Sequence, residues 1–207
     1  MSIASGEDRR RRRTADVARA EALSAARALL MVGGPEAVTL KAVAAAMGVT
    51  HTNLIHRFGS AAGLKSALLG QLVAELADAL RGAVASWAAS GGSAAALVEP
   101  VFDAFSAGGG GALAASIALG GDLSRLDPIR EALAELVDVL AADLPDAPEV
   151  RPLIARAVLM VALMAFGDAV IGAPLRDMLT LPSTAARDVT ADLIAGWASA
   201  GRSGSSR

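Results

Sequence analysis

The sequence has no cysteine and no tyrosine, only 2 His, and aromatic residues make up just 3% of it. Without cysteine there is no disulfide scaffold, no thiolate zinc site and no cysteine nucleophile. The two histidines, His51 and His56, leave little material for a metal centre or for histidine-based catalysis. Their spacing of five is a poor match for ligands on one helical face, which stand four apart in patterns such as His-Glu-x-x-His. There is no Gly-x-Ser-x-Gly elbow, and the Gly108–Gly111 run lacks the lysine and hydroxyl residue of a phosphate-binding loop. An enzyme is therefore the weak reading, and neither cofactor nor metal is expected. Scarce aromatics also count against strands, and the abundance of alanine favours helices.

Disorder is excluded by the opposite kind of arithmetic. Of 207 residues, 54% are apolar and 19% charged, enough to build a sizeable core. The net charge of −2 conceals an asymmetry. Residues 1–70 carry eight Arg and two Lys against five acids, whereas acids outnumber bases over the rest of the chain. A basic head on an acidic body points to a polyanionic partner. The run Arg9–Arg13 is followed by Thr14-Ala15-Asp16 rather than an apolar stretch, so it does not open an export signal. The most hydrophobic window, 153–172, is interrupted by Arg156 and Asp168. Its uncharged core, 157–167, is shorter than the roughly 20 residues a bilayer requires. A buried helix in a cytoplasmic protein, with no membrane partner, is expected.

The periodicity predicts an all-α chain. Helices are expected over about 16–32, 40–47, 50–58, 61–89, 94–106, 112–120, 128–143, 151–172 and 184–199. Gly33-Gly34-Pro35 stops the first, and Thr39 is placed to cap the second. Pro174 and Pro182 punctuate the last connection. No alternating pattern and no internal repeat is present.

One segment carries chemical information. In Val38–Phe58, Leu40, Val43 and Met47 share a face of one short helix, and Leu54 and Phe58 share a face of the next. Ala44 lets the two cross closely, Gly48 supplies a left-handed turn, and Val49 is expected to pack into the same small core. This is the grammar of a helix-turn-helix. The outer edge of the second helix holds Thr50, His51, Thr52, Asn53, His56 and Arg57, side chains able to bond phosphates or base edges in a major groove. Thr39, Lys41 and Lys65 flank it and are expected to reach phosphates.

With these residues in view, the sequence resembles the TetR (tetracycline-repressor) family of bacterial transcriptional regulators over about residues 14–68. The resemblance rests on Ala25-Ala26, Leu29-Leu30, Gly34, Val38-Thr39-Leu40, Val43-Ala44, Gly48-Val49-Thr50, Leu54, Phe58-Gly59-Ser60 and Leu64. It implies a three-helix DNA-binding head, a larger helical ligand-binding body, and a homodimer formed through the last two long helices. Where the family usually has a tyrosine this chain has Ile55, so the DNA contact at that position lacks a phosphate-binding hydroxyl. Where the family often has a lysine at the start of the fourth helix, this chain has Ala61, with Lys65 one turn further on.

The expected organisation is a flexible basic arm at 1–13, a DNA-binding domain at 14–60 and a ligand-binding and dimerisation domain at 61–207. Arg11, Arg12 and Arg13 of the arm are expected to lie along phosphates or enter the minor groove. In the body, Phe102, Phe105, Met160, Met164 and Phe166 are candidate pocket residues for a small, largely apolar effector. Leu163, Val189, Leu193 and Trp197 are candidates for the dimer interface. The expected function is a ligand-responsive regulator, a repressor, on a near-palindromic double-stranded operator. The competing reading is a sequence-indifferent DNA-binding protein.

Overall fold

The computed structural model describes residues 4–90, 93–121, 127–142, 148 and 150–204, and among these every regular element is helical. They are α1 (Ala4–Ala37), α2 (Leu40–Met47), α3 (His51–Phe58), α4 (Ala61–Ser90), α5 (Ala95–Phe105), α6 (Gly110–Leu119), α7 (Asp127–Ala141), α8 (Val150–Gly167), α9 (Ala173–Met178) and α10 (Ala185–Gly204). A π-helical turn, Asp168–Gly172, joins α8 to α9 without a break. The all-α expectation is correct.

Two expectations about where helices begin and end are corrected. Residues 4–13 are helical and continuous with α1, in place of the expected flexible arm. Arginine is a good helix former, so a run of it does not end a helix. The side chains of Arg11, Arg12 and Arg13 lie outside the described residues. Pro174, expected to stop the long apolar helix, does not: the coil continues to Met178. The π turn widens the coil just ahead of Pro174 and leaves it in the first turn of α9, where its missing N–H has no partner to lose. The Arg176 guanidinium pairs with Asp168 across this turn, and both side chains are largely buried. By length and composition the continuous helix from Val150 to Met178 could cross a membrane; it packs on α5, α7 and α10, but the expected buried helix is corrected, because only 11% of its most apolar window is buried in the single chain. The stop at Gly33-Gly34-Pro35 is real: Gly34 has φ +69° and breaks the helical path inside α1.

Apolar burial divides between two cores. The first gathers Ala22, Leu23, Ala26 and Leu30 of α1, Leu40, Val43 and Ala44 of α2, and Leu54 and Phe58 of α3. It also takes in Leu64, Leu68, Leu69 and Leu72 from α4 and Leu113 and Ile117 from α6, so head and body share packed side chains. The second core joins Leu80 of α4 to Val98, Val101 and Phe102 of α5, Leu136 of α7 and Ala165 of α8. α4 runs through both cores.

Candidate nucleic-acid interface

The two short helices are defined by local hydrogen bonds. Thr39, in an extended conformation, caps α2: its Oγ1 accepts from the Ala42 N–H at 3.1 Å. At the other end Gly48 is left-handed (φ +67°), which lets its N–H and that of Val49 return to Ala45 O at 3.3 Å and Ala44 O at 3.0 Å. Thr50 then caps α3, accepting from the Asn53 N–H at 3.4 Å. Each threonine keeps its own O–H free to donate outward. Val49, expected in the core, is 37% exposed, because the left-handed glycine turns the chain away from α2 just before it.

Behind α3, Leu54 is 0% and Phe58 9% exposed. Those two anchors fix its rotation about its own axis, so the opposite edge must face outward. His51, Thr52, Asn53 and His56 are all exposed on that edge, as are Thr50, Thr39 and Lys41 beside it. Ile55, 40% exposed, stands among them as an apolar contact. The structure therefore brings together Thr39, Lys41 and residues 50–56 on one surface. An eight-residue helix bearing small hydrogen-bonding side chains fits the width of the major groove.

Two predicted contacts are placed differently. The Arg57 side chain is half-buried, and its Nη1 donates to the main-chain carbonyl of Ala15 in α1 at 2.5 Å. Lys65 is mostly buried, with its Nζ 3.2 Å from Ser116 Oγ and 3.5 Å from a Glu36 carboxylate oxygen. It joins α4 to α6 rather than standing free toward a phosphate. Sequence reasoning missed Arg19, whose guanidinium lies 5.2 Å from the centroid of the Phe58 ring. It also missed Ser60, which caps α4 by accepting from the Gly63 N–H at 3.0 Å. A serine directly after Gly59 and ahead of an alanine-rich helix is a legible capping signal.

In the body, Phe102 is a core residue. It is 1% exposed in the second core, with the Arg187 guanidinium 5.5 Å from its ring centroid. Phe105 and Phe166 meet edge to face at 6.4 Å, and Met160 and Met164 are half-buried. Arg187 also bonds Asp103 at 2.7 Å and contacts Glu99. Burial works to lower its pKa, but hydrogen bonds to the two carboxylates and their charges outweigh that and hold it above the ordinary arginine value. Leu163, Val189, Leu193 and Trp197 are all exposed in the single chain. Among the described residues no three His, Asp or Glu side chains gather as a metal site would require.

Residues 22–68 match the family described as bacterial regulatory proteins, tetR family. No match was found among curated proteins. The matched span holds the buried face of α1, all of α2 and α3, and the first turns of α4. Sequence match and helix-turn-helix geometry agree that residues 22–68 form a DNA-binding domain similar to that of the tetR-family bacterial regulatory proteins.

Proposed function

We propose that the protein is a ligand-responsive repressor that binds a near-palindromic operator as a homodimer and releases it on taking up a small, largely apolar effector. One observation carries the DNA reading: Thr50, His51, Thr52, Asn53 and His56 form an exposed polar edge on a helix pinned from behind by buried Leu54 and Phe58. Asn53 is suited to pair with adenine, and Thr39, Lys41, Thr50 and Thr52 with phosphates. In this reading the N-terminal segment supplies the positive charges of Arg11, Arg12 and Arg13 for phosphates.

Support for the dimer comes from α8 and α10. Leu159 and Leu163 on α8, and Val189, Leu193 and Trp197 on α10, leave apolar surface open to water in the single chain. A twofold mate would cover it and set two α3 helices about 34 Å apart, or a multiple of that, along a duplex. Support for an apolar effector comes from the Phe105–Phe166 pair with half-buried Met160 and Met164. An effector acts only by preferring one spacing of the two heads over the other. We assign the chain no catalytic activity and place its work in the cytoplasm.

The test is selection of bound sequences from random duplex DNA, followed by footprinting on the winner. A discrete protected palindrome is expected. Uniform coating would instead favour the sequence-indifferent reading. Deleting residues 1–13 should lower affinity and flatten its salt dependence by about 0.9 for each phosphate no longer neutralised. An unchanged slope would remove the arginine run from the interface.

A further inference from the structure

Arg57 lies in the last turn of α3, yet its side chain turns back to the Ala15 carbonyl, 2.5 Å from its Nη1. Arg19 covers the ring of the next residue, Phe58, from 5.2 Å. Ala15 and Arg19 are four apart and therefore share one edge of α1. Two polar ties thus fasten successive turns of α1 to the end of α3.

Among the described residues, burial in α1 begins only at Ala22. From Ala15 to Glu21 no side chain of α1 is buried, and in the run Arg9–Arg13 like-charge repulsion works against the helical propensity of the arginines themselves. Such a segment frays unless something outside the core holds it. Arg11 and Arg12 precede Ala15 by four and three residues in the sequence of this helical segment.

We propose that Arg57 is a positioning residue for DNA contact rather than a reader of bases. By clamping α1 at Ala15, it holds the helical segment bearing Arg11 and Arg12 in fixed register with the exposed edge of α3. This rests on the DNA-binding reading above. The clamp contributes affinity by pre-ordering two phosphate-binding side chains that would otherwise be ordered at the expense of binding. The bond suits this role, because a guanidinium donates to the carbonyl oxygen's second lone pair and leaves the helical hydrogen bond of that carbonyl intact.

The test compares full-length wild type, Arg57→Gln, the pair Arg11→Gln/Arg12→Gln, and the triple variant. The first readout is hydrogen exchange over residues 4–21 in the DNA-free protein. The second is the salt dependence of binding to a duplex recovered by selection from random DNA. In Arg57→Gln, exchange over 4–21 should rise at least tenfold while that of α2 and α3 is unchanged. Its salt slope should fall by about 1.8, the equivalent of two phosphates. The triple variant should lose no more than the arginine pair alone. Arg57→Lys keeps a donor for Ala15 and should recover both protection and slope.

A fall of about 0.9 that adds to the effect of the pair would make Arg57 a phosphate ligand itself and overturn the proposal. So would a lysine variant that recovers slope without protection, or unchanged exchange in Arg57→Gln. If wild type binds no duplex, the DNA reading fails, while the exchange data still decide whether the clamp exists.

Discussion

The Lys65 ammonium stands 3.2 Å from the Ser116 hydroxyl, linking the second turn of α4 to α6. Its side chain is 16% exposed, whereas Glu36, its ionic partner, is 89% exposed and contributes little through so wet a contact. Lys65→Gln is therefore expected to leave the salt slope of DNA binding unchanged, since the ammonium neutralises no phosphate. It should destabilise the fold by about 1–2 kcal/mol through removal of the charge-assisted hydrogen bond. Urea melts and a salt titration check the two halves, and a slope reduced by about 0.9 would return Lys65 to the interface.

Leu54 and Asn53 are neighbours in sequence with opposite duties, so their substitutions should separate stability from recognition. Leu54→Ala empties a fully buried site and should cost about 3 kcal/mol of folding stability. Asn53→Ala, at an exposed position, should shift stability by no more than about 0.5 kcal/mol. It should weaken binding to the selected duplex by about 1–3 kcal/mol and relax preference at one base pair of each half-site. Equal weakening on all sequences would mean that Asn53 touches only the backbone.

What the sequence makes legible divides by the distance over which the responsible interaction acts. The bounds of α2 and the end of α3 are legible because Thr39, Gly48, Thr50 and Gly59 act within a few residues of the ends they set. The exposed edge of α3 follows from the spacing of Leu54 and Phe58 alone. The bond of Arg57 to Ala15 spans 42 residues and that of Arg187 to Glu99 spans 88, so neither is announced by the sequence around it. Lys65 resembles a phosphate ligand only while α6 is out of view. The continuation of α8 into α9 through Pro174 depends on a π turn that no residue in Asp168–Gly172 announces.

Arg187 joins α10 to α5 through Asp103, Glu99 and the face of Phe102. Because both carboxylates are substantially exposed, Arg187→Met is expected to cost only about 1–2 kcal/mol. The pH dependence has a definite sign. A basic group with its folded pKa raised contributes fully below its ordinary value and loses that contribution only as pH rises through the folded one. Both lie far above neutrality, so the stability difference between wild type and variant should be flat from about pH 6 to 9. Denaturant melts across that range check it, and a slope within it would assign the difference to another group.

Trp197, 37% exposed, completes a row with Val189 and Leu193 at intervals of four on α10, while Leu163 on α8 is 61% exposed. None of the four belongs to the buried members of either core, so their removal should leave the monomer's fold nearly intact. If a second copy covers this row, Trp197→Ala should weaken the dimer by about 2 kcal/mol or more, roughly thirtyfold in dissociation constant. Sedimentation over a concentration series measures that directly. DNA binding gives an independent reading, because a dimer grips two half-sites and a monomer only one. The same substitution should lower operator affinity at dilute protein and recover it as concentration rises past the new dissociation constant. An unchanged dimer would move the interface off α10 and leave the Leu159–Leu163 face of α8 as the next surface to alter.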